Sequence, residues 1–351
     1  MVHKKQKSSA TIYDVAKKSK VSIATVSRVL NKKTEVVTEK TRLQVLQAIK
    51  ELNFKPNLSA RRLVSNQTNL IEIFFHINNF PVDFKSDWYN GILVGATQVI
   101  QNENMGMLIN FLVGIPDFQE IAERVFHNNV DGVLMISPSL EEKHLLELAN
   151  QSTPIVLVGH RTKSSEISFV DTNNTEASET IVEHLIDLGH RKIACLAGPI
   201  HNVQNAKDRL EGFQNAMSKH GLSVPKSFVV PSDGFIKLNG REGMQQLLKL
   251  SEKPTAVFCA DDMLATGAWD AVTAAGLKVG KDISLVGYDD IPAASTYPYS
   301  LTTVRQDIQG LSAAATRLLI EQIKNPENSV PTQQFQPTQI IIRESTGPAK
   351  Q

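Results

Sequence analysis

Apolar and polar positions along the chain change period at about residue 66. Before it the spacing is helical and the segments are short. Thr11-Ile-Tyr-Asp14 reads as a capping box, with Thr11 as N-cap and Asp14 three residues on. Ile12, Val15 and Ala16 then form a one-sided stripe ending near Ser19-Lys20. Ser22 caps a second helix, whose buried face is Val26, Val29 and Leu30 and whose outer face is Ile23, Ala24, Ser27 and Arg28. A third helix starts at Thr38, carries Leu43, Val45, Leu46, Ile49 and Leu52 at helical spacing, and ends at Asn53. Two short helices joined by about three residues make a helix-turn-helix, in which the second presents its first turns to base edges. Asn57 to Val64 is too short to be a stable helix alone, and from its own residues it reads equally as a basic linker.

From Leu70 onward, short β-branched runs alternate with amphipathic segments. Strands are predicted at 70–76, 106–112, 131–136, 154–158, 167–171, 192–197, 227–231, 255–260 and 282–288. Helices are predicted at 87–103, 117–128, 140–150, 174–188, 203–220, 238–250 and 262–275. Such alternation implies parallel sheets, and nine strands fit two α/β lobes better than one sheet. The polar stretch Gly159–Ser165 between two strands suggests a lobe crossing. Polar residues collect where predicted strands end: Asp171, Asp261-Asp262 and Tyr288-Asp289-Asp290, with Arg209 on the helix after strand 192–197. Ligands of open α/β sheets bind beyond strand carboxyl ends, so these residues suggest a polar cleft.

Charge changes the picture of the head more than that of the body. The whole chain of 351 residues holds 37 Lys/Arg against 36 Asp/Glu, a net of +1 that argues against a nucleic-acid binder. Residues 1–66 hold 15 Lys/Arg and 4 Asp/Glu, a net of +11, and the remaining 22 and 32 give −10. A folded basic head on an acidic body points to DNA.

Candidate chemistry for catalysis is thin. The aspartate pairs suggest a glycosidase, which uses two acids. Adjacent strand residues point to opposite sides, however, so each pair offers the cleft one group. GxSxG, Walker A and HExxH motifs are absent, and no cofactor is expected. His144 and Glu147 share one helix face, a surface contact rather than a metal site, and His190 after Gly189 reads as a helix C-terminal cap. Cys195 and Cys259 lie in apolar runs and read as reduced core thiols of a cytosolic protein. No signal peptide or membrane span is legible. A free sugar-binding receptor is the more serious rival for the body, though it would normally be exported.

Thr11-Ile-Tyr-Asp-Val-Ala16, Val21-Ser-Ile-Ala-Thr-Val-Ser-Arg-Val-Leu-Asn31 and Asn53-Phe-Lys-Pro-Asn57 with Leu63 resemble, in order and spacing, the lactose-repressor (LacI/GalR) family of transcription regulators. The similarity runs from about residue 10 to about residue 345. It implies a small all-α helix-turn-helix head, residues 1–56, a hinge helix and linker, 57–68, and a body, 69–351. That body would be an α/β periplasmic-binding-protein-like pair of doubly wound lobes, with crossings near 159–166, 296–302 and 326–334. Ile23, Ala24 and Arg28 would read bases, with further DNA contacts at Thr11, Ser22, Thr25, Ser27 and Asn31. Lys55, Asn57, Ser59 and Ala60 would lie at or near the minor groove, and Leu63 would be the wedge that kinks it. Trp88, Tyr89, Phe169, Arg209, Asp261 and Asp289 would bind the effector. The expected protein is a cytoplasmic homodimeric repressor, not an enzyme, bound to pseudo-palindromic operator DNA and controlled by a sugar or sugar derivative. A purine or a phosphorylated carrier protein is the alternative co-regulator.

Overall fold

The structure is a computed structural model that describes residues 10–30, 37–54, 68–77, 86–113, 118–127, 130–201 and 203–350. The chain divides into two units, within Met1–Thr68 and Asn69–Gln351. The first contains α1 (Ile12–Ser19), α2 (Ile23–Leu30) and α3 (Glu39–Glu51) around a core of Val15, Ala16, Val26, Val29, Val45, Ala48 and Phe54. The capping box is formed: the Thr11 amide and hydroxyl donate to Asp14 at 2.8 and 2.7 Å, and the Asp14 amide donates back to Thr11 Oγ1. The turn after α1 passes through Lys20 in the left-handed region, φ 54°. On α3 the helical stripe was too wide a guide to burial. Leu43 and Leu46 remain 56% and 41% exposed, because a three-helix core this small closes around Val45 and Ala48.

The second unit holds two six-stranded sheets. The first takes β1 (Leu70–Ile77), β2 (Gly106–Val113), β3 (Gly132–Ile136), β4 (Ile155–Val158), β5 (Ser168–Thr172) and β11 (Gln333–Gln336), in the order β11-β5-β4-β3-β1-β2. The second takes β6 (Ile193–Gly198), β7 (Val229–Pro231), β8 (Ala256–Cys259), β9 (Ser284–Asp289), β10 (Thr302–Gln306) and β12 (Thr338–Ile341), in the order β12-β10-β9-β8-β6-β7. Pairing is parallel except between β10 and β12. Helices α4 (Asp87–Asn102), α5 (Phe118–His127), α6 (Glu142–Ala149) and α11 (Ile308–Lys324) belong to the first lobe. Helices α7 (Asn174–Asp187), α8 (Gln204–Lys219), α9 (Lys237–Leu248) and α10 (Asp262–Ala274) belong to the second. Apolar clusters lie on both faces of each sheet, as parallel strands require. Among the described residues, no helix is long and apolar enough to cross a membrane.

All three crossings differ from the expected places. β4 and β5 pair side by side in one sheet although only residues 159–167 join them, without a helix. β9 and β10 pair likewise across a connection holding only a short turn at Pro292–Ser295. A parallel pair ordinarily needs a helical crossover of a dozen residues. The polar link 159–165 between two strands therefore read, wrongly, as a change of lobe. The chain crosses one strand later, between Thr172 and Asn174, between Gln306 and Ile308, and at Pro337. The last region, 302–341, holds three short polar strands and a helix that the pattern did not predict. The Thr172 hydroxyl donates to Gln306 Oε1 at 3.1 Å, tying two crossing strands together.

Helix pairs on the lobes approach closely at glycine. A Cβ on Gly267 of α10 would lie 2.0 Å from the Lys237 carbonyl oxygen, and one on Gly240 of α9 would lie 2.0 Å from that of Leu264. Gly267→Ala is expected to push α9 and α10 apart at a cost of about 1–3 kcal/mol. Urea unfolding checks this, since an unchanged midpoint would mean the backbone contact yields freely. The buried His190 is more than the expected cap. Its ring reaches Thr255 at 2.9 Å, Ser284 at 3.0 Å and the Gly347 carbonyl at 3.0 Å, pinning the tail to the start of β9.

Candidate nucleic-acid interface and effector cleft

Ser22 opens α2 by accepting the Thr25 amide at 3.2 Å and sharing a 2.9 Å hydroxyl contact with Thr25. Val26 and Val29 turn inward, which fixes the rest of the helix by its period. Ile23, Ala24 and Arg28 are exposed, and Thr25 and Ser27 partly so. These side chains share the outer face and the first two turns, where a helix meets base edges in a major groove. Thr11 is exposed at the start of α1, and Tyr13 beside it is an exposed aromatic that the apolar pattern had not singled out. Asn31, Lys55, Asn57, Ser59, Ala60 and Leu63 lie outside the described residues.

In the body, Arg209 is the centre of the cleft. It sits on α8, is only 3% exposed, and lies with its guanidinium carbon 3.7 Å from the centre of the Tyr288 ring. Its Nε donates to Asn174 Oδ1 at 3.0 Å, Nη1 to the Ala260 carbonyl at 2.6 Å and Nη2 to Asp289 Oδ1 at 3.3 Å. Asp289 ends β9 in a backbone conformation rare for a side-chain-bearing residue, φ 110°, followed by Asp290 at φ 57°. Gln306 donates to the same Asp289 oxygen at 2.5 Å, so the cleft carboxylate is joined directly to a crossing strand. Asp261 caps α10 by accepting the Met263 amide at 2.6 Å and the Leu264 amide at 3.3 Å. Burial, and then the neighbouring Asp289, hold its carboxyl well above the ordinary range.

The members of each aspartate pair take different partners, though by the cap of α10 and the positive φ of Asp289 and Asp290 rather than by strand alternation. Asp262 turns inward to the Thr303 hydroxyl at 2.7 Å and the Ile291 amide at 3.0 Å. Asp290 is clamped by Arg305 and Arg343, each at 2.6 Å. Asp261 and Asp289 remain for the cleft. On the first lobe, the half-buried Trp88 lies over Gly159: a Cβ there would come within 2.7 Å of its ring. Phe235 covers Gly198 on the second lobe in the same way, at 2.4 Å. Both glycines have positive φ, 62° and 70°, so strand-end backbone is bare exactly where an aromatic ring must settle. Tyr89 packs edge-on against Phe75 at 5.3 Å, at the margin of the core.

Phe169 does not line the cleft. It is 2% exposed in the first lobe's core and packs edge-on with Phe335, because the middle of β5 is covered on that face by α5, α6 and β11. Sequence reasoning also missed Asn205, Phe235 and Gln306, while Asn174 and Tyr288 stood among the polar strand-end residues without a role of their own. Asn205 had a usable signal, one helical turn before Arg209. One further pair spans the lobes: Arg161, after β4, grips the buried Asp208 of α8 through two hydrogen bonds of 2.7 Å, with Gln204 adding a third.

Burial pushes His160 down to about 4 and Asp171 up to about 7. They act on acid stability in opposite senses. His160 is neutral in the fold, so its contribution is present above about 6.5 and is lost as pH falls toward 4. The Asp171 carboxylate costs stability as pH rises from 3.8 toward 7, and acid relieves that cost. At about 1.4 kcal/mol per pH unit the two offset each other between pH 4 and 6.5. Asp171→Asn is expected to remove the offset, so that between pH 6.5 and 4 its unfolding free energy falls by about 3 kcal/mol relative to that of the parent protein. His160→Gln should give the opposite slope. Denaturation series on both variants check this, and parallel profiles would refute it.

Residues 11–57 match the bacterial regulatory proteins of the lacI family, and residues 182–346 match a periplasmic binding protein-like domain. The chain is 33% identical over 339 residues to the HTH-type transcriptional repressor PurR of Pasteurella multocida, covering 96% of this chain and 98% of that one. It is 31% identical over 337 residues to the ribose operon repressor of Haemophilus influenzae, with the same coverage. Among solved structures, the Lac repressor dimer bound to operator and the anti-inducer ONPF matches with a TM-score of 0.84 at 27% identity, covering 97% of this chain and all of that one. The complex of the transcriptional regulator CelR with cellobiose matches at 0.70 and 28%, covering 96% and 99%.

Proposed function

The chain belongs to the LacI family of bacterial regulatory proteins, and from that premise we propose a homodimeric repressor that binds a pseudo-palindromic operator and is switched by a small polar effector between its lobes. The observation that carries the reading is the convergence of Arg209 from α8 with Asp261 and Asp289 from two strand ends on a cleft whose carboxylate also holds a crossing strand through Gln306. On this reading Ile23, Ala24 and Arg28 read base edges in the major groove. Thr11, Ser22, Thr25, Ser27 and Asn31 contact the duplex around them. Residues 57–68 form the hinge, with Lys55, Asn57, Ser59 and Ala60 along the minor groove and Leu63 as wedge. Trp88, Tyr89, Arg209, Asp261 and Asp289 hold the effector.

Effector occupancy acts by changing the angle between the lobes about the three crossings, which moves the segments that lead to the two heads of a dimer. Coupling of this kind is reciprocal: an effector that weakens operator binding is weakened by operator to the same degree, by about 1–3 kcal/mol in known cases. The protein works in the cytoplasm, where its DNA is, and performs no reaction. The +11 head supplies phosphate contacts while the −10 body is repelled by the same duplex, so affinity should fall steeply with salt. Selection of bound sequences from a random DNA pool by full-length protein tests the core of this reading. The expected product is an inverted repeat with a fixed half-site spacing; enrichment of no common sequence would overturn it.

A further inference from the structure

The three crossings join the lobes covalently, but the angle between the lobes is held by contacts from one to the other. Arg161 makes such a contact from outside the crossings, in the link between β4 and β5. Its Nε and Nη2 each donate to Asp208 at 2.7 Å, and the carboxylate holds the guanidinium above its ordinary range. The link is fastened to the first lobe on both sides. Glu142, the first residue of α6, accepts the Thr162 hydroxyl and the Lys163 and Ser164 amides, the amides at 2.9 Å. Gln333 of β11 donates to the Ser164 carbonyl at 2.6 Å. Asp208 is fastened as firmly to the second lobe. Its neighbour Arg209 bonds Asn174, Ala260 and Asp289, and a Cβ on Gly212 of the same helix would lie 2.2 Å from the Thr175 carbonyl oxygen of α7.

Neither end can follow the other when the lobes turn, so a change of angle breaks the pair. Breaking it takes the counter-ion from a carboxylate whose side chain is 2% exposed. The remaining partner, Gln204, is neutral and rides on the same helix. Glu211, 3.6 Å from Arg161, is exposed, and a surface pair of that kind contributes little.

Resting on the operator reading above, we propose that Arg161 is a positioning residue for DNA binding. Clamped on Asp208, it holds the lobes at one angle and so pre-sets the spacing of the two heads of a dimer. An inverted repeat is bound in both halves only when the heads stand at one spacing. Each head leads directly into β1 of the first lobe, so a loose lobe angle spreads that spacing and dilutes the second head at its half-site. An angle fixed before binding removes this ordering cost. Contacts of one head with one half-site do not depend on it.

The clamp can be measured without DNA. Glu147 on α6 and Asn215 on α8 are exposed on opposite lobes, while Cys195 and Cys259 are buried, so spin labels attach to Glu147→Cys and Asn215→Cys. Excess unlabelled protein keeps the measured distance within one chain. One narrow interlobe distance is expected, with broadening or a second population in Arg161→Gln and in Asp208→Asn. Arg161→Lys, which keeps the charge but not the paired donors, should restore part of the narrow distribution. An unchanged distribution in Arg161→Gln overturns the proposal; that side chain is one-third exposed, so the variant decides even where Asp208→Asn fails to fold. On DNA, fluorescence anisotropy compares the selected inverted repeat with a duplex carrying one half-site. Arg161→Gln should lose about tenfold or more on the repeat and less than about twofold on the half-site, while sedimenting as a dimer. Equal loss on both duplexes, loss of the dimer, or unchanged affinity for the repeat overturns the positioning role. If selection yields no inverted repeat, the operator reading falls and this role with it, while the distance measurement still shows whether the pair clamps the lobes.

Discussion

Arg209→Ala is expected to cost the body about 3–5 kcal/mol and to abolish effector response. The side chain is 3% exposed and satisfies three acceptors drawn from three separate segments: Asn174 at the start of α7, Ala260 after β8 and Asp289 at the end of β9. Truncation removes the guanidinium between Asp289, Asp261 and Asp171, leaving buried carboxylates that only protonation can relieve. It also empties the space above the Tyr288 ring. Arg209→Lys restores the charge but not the planar fork, so it should recover part of the stability and little of the response. Urea unfolding followed by intrinsic fluorescence measures the first effect. An unchanged midpoint in Arg209→Ala would show that the cleft carboxylates do not depend on it.

The second large effect belongs to the head. Arg28→Ala should weaken binding to the cognate operator by about 1–3 kcal/mol, roughly fivefold to 150-fold, and relax selectivity at one base position. Arg28 is exposed on α2 with Val26 and Val29 turned into the core, so its loss takes no packing with it. Fluorescence anisotropy at fixed salt, on operator and on unrelated duplex, separates the possible roles. Equal loss on both sequences would identify a phosphate contact rather than a reader of bases.

How far the sequence could be read depended on the range of the interaction. Thr11 and Asp14 announced the start of α1 because a capping box is complete within four residues. Strand alternation predicted opposite orientations for Asp261 and Asp262, and for Asp289 and Asp290; the members of each pair do take different partners, but through a helix cap in the first pair and two positive-φ residues in the second. By contrast Leu43 and Leu46 fit the helical period of α3 and yet stay exposed, since a period marks a stripe and not its partner. Phe169 failed for the related reason that its neighbours come from α5, α6 and β11.

The resemblance carried Arg209, Asp261 and Asp289 to their positions, but it did not say what surrounds them. Asn174, Phe235, Gln306 and the Arg161–Asp208 pair are scattered over some 150 residues, with no common spacing to tie them together. The crossings are the clearest case. The polar, helix-free link between β4 and β5 looked like a change of lobe, and the three short polar strands near the end carried too weak an alternation to be predicted at all.

By itself, the sequence determined a basic three-helix head and an acidic body of alternating strands and helices. These are properties of windows of four to eighteen residues, where covalent geometry fixes which side chains share a face. Strand order, the place of the crossings and the company kept by Arg209 were decided only in the tertiary structure. They depend on burying both faces of two sheets at once, and that condition joins residues that no local period relates.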